Sequence, residues 1–98
     1  MNQQETQRVR TVFGEVLAEL MEERGLEPTP AQIIALGERS GLDGQELLRD
    51  VQRGITRGGR RARQKLTGLA DELGLTEPEK VRIALAYTFE DRLNLSND

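Results

Sequence analysis

Apolar residues recur every three or four positions along most of this chain, and this spacing constrains the fold more than any other feature. The first segment is the clearest, with an unbroken apolar stripe: Val9, Val12, Phe13, Val16, Leu17, Leu20 and Met21. Such spacing places apolar side chains on one face of an α-helix, whereas a strand needs alternation. The remaining positions take the outer face: Glu15, Glu19, Glu22, Glu23 and Arg24. No segment alternates convincingly, so the sequence predicts an all-α protein.

Glycines and capping residues divide the periodic segments into five predicted helices. A glycine suits the end of a helix, and a Ser, Thr or Asp suits the start of the next one. The breaks are Gly25 before Thr29-Pro30, Gly41 before Asp43, and Gly74 before the capping box of Thr76 and Glu79. The predicted helices span residues 6–24, 30–40, 43–53, 61–73 and 77–93. We expect them to form one compact bundle, a single domain over residues 1–98.

The absence of cysteine and histidine limits the chemistry open to this chain. It removes disulfides, thiolate nucleophiles, His-based triads and the usual zinc ligands. We therefore predict no enzymatic activity, no metal site and no cofactor. No apolar run approaches the ~20 residues of a membrane span, and the N-terminal residues show no signal-peptide pattern. The expected location is the cytoplasm, with no membrane partner.

The charge distribution is more informative than the net charge of −3. Between Val51 and Ala70 there are no acidic residues and six basic ones: Arg53, Arg57, Arg60, Arg61, Arg63 and Lys65. Several of these fall in a glycine-rich loop and at a helix N-terminus, where the helix dipole disfavours cations. Backbone phosphates of a nucleic acid explain such a cluster. The alternative is a solvated cationic loop that balances nearby glutamates.

The segment from Leu36 to Asp43 has the pattern of two short helices joined by a tight glycine turn. Gly37 lies four positions before Gly41, where a small residue lets the helices cross closely, and Leu42 fills the space between them. Two helices joined in this way are the geometry of a helix-turn-helix. The sequence therefore predicts that the bundle contains one.

Several short motifs resemble the lambda repressor/Cro-like helix-turn-helix family, of the xenobiotic-response-element type. They are Phe13-Gly14-Glu15-Val16-Leu17, Glu23-Arg24-Gly25-Leu26, the turn from Gly37 to Leu42, Leu48-Arg49-Asp50-Val51-Gln52-Arg53-Gly54, and the stretch from Leu66 to Leu75. The resemblance implies DNA binding through the third helix. The chain departs from the family in a longer segment from Leu26 to Gly41 and in Gly37 where Ala is usual. Gly44 reads as an extra turn residue, and Glu46 and Asp50 place negative charge on a helix that would face DNA.

The candidate DNA contacts lie on the second and third helices and the basic segment. Thr29 and Gln32 begin the second helix, where they bond phosphate or serve only as capping residues. The other candidates are Gln45, Glu46, Arg49, Gln52, Arg53, Arg57, Arg60, Arg61 and Arg63. For the third helix, the alternative is an ordinary polar helix face.

The fifth predicted helix is apolar around most of its circumference. It carries Val81, Ile83, Ala84, Leu85, Ala86, Tyr87, Phe89 and Leu93. Either it is buried in the core, or it has one face in the core and another against a second subunit. The second interpretation predicts a homodimer with Tyr87, Phe89 and Leu93 at the interface.

Two functions follow from these patterns. The first is a sequence-specific regulator of transcription that binds double-stranded DNA, as a homodimer. The second is a helical protein-interaction module that regulates another DNA-binding protein or a polymerase, with the helix-turn-helix as scaffold. Sensitivity to the basic segment is expected under the first, and sensitivity to Tyr87 or Phe89 under the second.

Overall fold

The computed structural model describes residues 11–54 and 62–96, with side chains up to residue 89. Five helices are present in these residues: α1 Val12–Glu22, α2 Pro30–Arg39, α3 Gly44–Arg53, α4 Ala62–Leu73 and α5 Glu77–Ser96. These residues contain no strand, and they form a compact bundle with a radius of gyration of 12.8 Å. The all-α prediction is confirmed. The predicted start of the first helix, at residue 6, lies outside the described residues.

Side-chain caps begin α3 and α5 where the sequence predicts them. The Asp43 carboxylate accepts hydrogen bonds from the backbone N–H groups of Gln45 (3.0 Å) and Glu46 (3.2 Å). At α5 the Thr76 N–H donates to the Glu79 carboxylate (2.9 Å), and the Glu79 N–H donates to the Thr76 hydroxyl (3.4 Å). These bonds satisfy N–H groups that have no partner within the helix.

The core lies between α1 and α5 and extends under α2, α3 and α4. Its two aromatic rings, Phe13 and Tyr87, meet edge to face with centroids 5.1 Å apart. An edge-to-face contact of this kind adds to the area that both rings bury. Aliphatic side chains fill the remaining volume: Leu17, Leu20, Met21, Ile33, Leu36, Leu47, Val51, Leu69, Leu73, Leu75 and Ile83.

The α2 and α3 helices cross at a very short distance because glycines face each other at the contact. A Cβ on Gly37 would lie 2.9 Å from the Gly44 Cα, and one on Gly44 would lie 2.4 Å from the Ile34 carbonyl oxygen. The turn between the helices has a positive φ of 80° at Gly41, and Leu42 packs partly against the core. The interpretation of Gly44 as an extra turn residue is wrong, because it is the first residue of α3.

Arg24 was expected on the outer face of α1, but it ties three helices together. Its guanidinium donates to the backbone carbonyls of Leu73 (2.6 Å) and Leu20 (3.1 Å), and it forms an ion pair with Glu79 at 2.6 Å. The ends of α1 and α4 and the start of α5 meet at this side chain.

None of the helices in the described part of the chain combines the length and the apolar character that a membrane span requires.

Candidate nucleic-acid interface

The outer face of α3 carries four exposed polar side chains. Gln45, Arg49, Gln52 and Arg53 stand at i, i+4, i+7 and i+8, which places them on one side of the helix. The opposite side is fixed in the core by Leu47 and Val51, which are both buried. We call the side of α3 that carries these four residues the outer face. Its two charged groups, Arg49 and Arg53, are both cationic.

The acidic side chains of α3 turn away from this face. Asp50 is only 7% exposed, and its carboxylate accepts a hydrogen bond from the Lys65 ammonium of α4 at 2.6 Å. The Glu46 carboxylate lies 3.0 Å from the same ammonium. The sequence places the negative charge of Glu46 and Asp50 on a helix that would face DNA, but in the structure both carboxylates, including that of the predicted DNA contact Glu46, pair with Lys65.

Burial and pairing set the protonation of this cluster. Burial lowers the pKa of Lys65, but hydrogen bonds to Asp50 and Glu46 outweigh burial, so the net shift is upward and the ammonium stays charged. Burial raises the pKa of Asp50, and Lys65 opposes this effect. Burial also raises the pKa of Tyr87, whose ring centroid lies 5.8 Å from the ammonium. The Tyr87 hydroxyl has no hydrogen-bond partner among the described groups.

Lys65 is one of the six basic residues between Val51 and Ala70, but its side chain is buried and does not contribute to a cationic surface. It is 5% exposed and reaches α3 from beneath. Its position could have been found in the sequence, because it stands four and eight residues before the core residues Leu69 and Leu73. A charged residue in register with an apolar stripe points inward and needs a partner.

The α4 helix closely approaches the turn between α2 and α3. A Cβ on Gly68 would lie 2.7 Å from the Ser40 carbonyl oxygen, so only glycine lets α4 lie this near the end of α2. Nearby, the Arg39 guanidinium of α2 donates to the Glu72 carboxylate of α4 at 3.0 Å. The turn between α2 and α3 is thus held from the α4 side as well.

The remaining DNA-contact candidates are distributed as follows. Arg63, the second residue of α4, is exposed. Thr29 and Gln32 are also exposed, and the Thr29 hydroxyl accepts a hydrogen bond from the Gln32 N–H at 3.2 Å, which confirms its capping role. Arg57, Arg60 and Arg61 lie outside the described residues.

The predicted dimer residues of α5 do not share one environment. Tyr87 is 2% exposed and packs inside the core, so it leaves no surface for a partner, and its assignment to an interface is corrected. Phe89 is 50% exposed, and the Leu93 side chain lies outside the described part. The sequence interpretation missed Val81 and Leu85, which are 56% and 65% exposed.

Val81, Leu85 and Phe89 follow one another at intervals of four, and we call them the α5 stripe. Their spacing forms a single ridge along the helix. Large apolar side chains grouped on a surface mark a contact site more often than scattered ones do. Ile83, Ala86 and Tyr87 take the core side of the same helix.

Among the described side chains, no group of three or more Asp, Glu, His or Cys residues could hold a metal ion.

Comparisons with protein families, with curated proteins and with solved structures found no match to this chain.

Proposed function

We propose that this chain is a sequence-specific regulator of transcription that binds double-stranded DNA. In this proposal α2 and α3 form the helix-turn-helix, and α3 enters the major groove. One observation carries the proposal: the outer face of α3 exposes Gln45, Arg49, Gln52 and Arg53, while the acidic groups of the helix pair with Lys65 on the other side.

The side chains of this face suit the edges of base pairs. Glutamine can form two hydrogen bonds with adenine, and arginine can form two with guanine. Gln45 in the first turn and Arg49 one turn later are the proposed base contacts, since the first turns of a recognition helix enter the groove. Arg53 and Arg63, with Arg57, Arg60 and Arg61, are proposed to contact phosphates.

We propose that the chain acts as a homodimer through the α5 stripe. One module of this size makes few DNA contacts, and pairing two half-sites raises affinity to a useful level. The stripe offers two copies a self-complementary apolar ridge, as a two-fold interface requires. In the sequence, Leu93 continues the interval of four.

The experiment is a salt titration of binding to labelled double-stranded DNA by the wild type and two charge-matched variants. R49Q/R53Q removes two positive charges from the outer face of α3, and K80Q/R82Q removes two from α5. Each lost phosphate contact should reduce the slope of log K against log salt by about 0.9. For R49Q/R53Q we expect weaker binding and a slope smaller by about 0.9, since Arg53 is the proposed phosphate contact of the pair, and for K80Q/R82Q near wild-type behaviour.

Equal losses in the two variants would show an effect of net charge only and would contradict the proposed face. No binding by the wild type at low salt would overturn the DNA-binding proposal.

The α5 stripe favours a second candidate function, a protein-interaction module. Under this alternative the stripe docks on an apolar surface of another protein, and the α2–α3 unit is scaffold. Sedimentation of the wild type and of L85K separates the two functions. DNA binding together with a dimer that L85K dissociates supports the regulator, whereas a monomer that does not bind DNA supports the module.

A further inference from the structure

The buried ammonium of Lys65 pairs with two side chains of the proposed DNA-binding helix. The lysine comes from α4, and both its carboxylate partners, Glu46 and Asp50, come from α3. Both acids stand one turn apart on the same side of α3. Burying an ammonium is costly unless charged partners compensate, so the arrangement holds both carboxylates firmly.

The neighbours of Glu46 show what this restraint achieves. Arg49 stands three residues after Glu46, and side chains at that spacing can pair on a helix surface. The Glu46 side chain is about one quarter exposed (27%), so it lies at the rim between the cluster and solvent. Released from Lys65, its carboxylate could turn outward and compete with DNA for Arg49.

We propose that Lys65 is a positioning residue for DNA binding by α3, because it holds the Glu46 and Asp50 carboxylates on the α4 side and keeps the outer face free of acidic competitors. This inference rests on the proposed function. It assigns Lys65 an effect on the DNA-binding face without a contact to DNA. Its observable consequence is that the charge of Glu46 affects DNA binding weakly when Lys65 is present and strongly when it is absent.

The experiment compares four full-length chains: the wild type, E46Q, D50N/K65M and E46Q/D50N/K65M. In the D50N/K65M chain the buried groups are neutral and nearly unchanged in size, so we expect it to fold, while Glu46 loses its contact with the Lys65 ammonium. Circular dichroism and urea unfolding check that each chain is folded. If D50N/K65M does not fold, D50L/K65M replaces it, because apolar side chains suit a buried position.

Affinity is measured by fluorescence anisotropy with a random-sequence duplex of about 20 base pairs, two turns of B-DNA. We expect E46Q to change the Kd less than about twofold in the wild type and to tighten binding about fivefold or more at low salt in D50N/K65M. The second effect should shrink as salt rises, since exposed charges are screened. A change in helix packing would not follow salt in this way.

Equal effects of E46Q in both backgrounds would overturn the positioning role of Lys65 and leave the proposed function intact. A large effect in D50N/K65M that is insensitive to salt would also overturn it. If the wild type does not bind the duplex, the proposed function fails, and this inference fails with it.

Discussion

Two clusters of charged side chains join the helices of this protein, and they differ in burial. In the Lys65 cluster one ammonium meets Asp50 and Glu46, and the side chains of the closest pair, Lys65 and Asp50, are 7% and 9% exposed. In the Arg24 cluster the guanidinium meets Glu79 and backbone carbonyls, and both side chains are 22% exposed. Water can reach the groups of the second cluster when a bond is lost, but it reaches those of the first only poorly. Removing one partner should therefore cost much more in the Lys65 cluster.

The largest effect is expected for K65M. This change leaves Asp50 buried without a cation, and breaking a buried pair in this way costs about 3–5 kcal/mol of unfolding free energy. Urea unfolding at neutral pH measures the loss. K80M is the control, because Lys80 is exposed and its pair with Glu77 (3.2 Å) contributes little. Equal losses for the two lysines would contradict the importance of burial.

Local signals in the sequence were sufficient to predict the helices and most of their starts. Caps, glycines and apolar spacing act within a few residues, so Asp43 and the Thr76–Glu79 box could be assigned without a tertiary structure. The residues with which Lys65 and Arg24 pair could not be predicted in this way. Their partners stand 15 and 55 residues away, so the contacts depend on how the helices pack.

The candidate site shows the same limit. The sequence predicted the polar positions of α3, but it counted Glu46 among the DNA contacts and did not foresee that Lys65 of α4 pairs with Glu46 and Asp50. For α5 the sequence indicated an apolar helix, but the position of α1 decides which side is buried. Tyr87 meets Phe13, whereas Leu85, two residues earlier, faces solvent.

A smaller effect is expected for R24M in the Arg24 cluster. The carbonyls of Leu73 and Leu20 lose a charged donor, at a cost of about 1–3 kcal/mol, which water partly offsets. Thermal unfolding measures the change. R39M is the matched control, since it removes an arginine from an exposed pair with Glu72 and should cost less than about 1 kcal/mol. A loss for R24M as large as that for K65M would remove the contrast between the clusters.

Glu79 of the Arg24 cluster and Lys65 of the other cluster should contribute to the pH dependence of stability at opposite ends of the pH scale. Hydrogen bonds from Arg24 and from the Thr76 backbone lower the pKa of Glu79 from 4.5 to about 2. A lowered pKa in the folded state stabilises the fold above pH 4.5, and this stabilisation is lost as the pH falls towards 2. The pKa of Lys65 is raised from 10.5, so its contribution is complete below that pH and is lost only in stronger alkali.

Urea midpoints measured from neutral pH down to about pH 2 test the contribution of Glu79. E79Q should be less stable than the wild type at neutral pH and should approach it near the acid limit. E77Q is the control, because Glu77 lies one turn from Lys80 at the surface. An E79Q curve that runs parallel to the wild type throughout would show that Glu79 is not responsible for the acid sensitivity.

The smallest effect is expected for R82Q, which removes the ion pair between Arg82 of α5 and Glu19 of α1. This pair also joins separate helices, as both clusters do, but its side chains are 44% and 54% exposed. Water and salt screen such charges, and the unfolding free energy should change by less than about 0.5 kcal/mol. Urea unfolding at low and high salt measures it, with the wild type alongside. A cost comparable to that of R24M would mean that linking two helices, rather than burial, determines what an ion pair contributes in this fold.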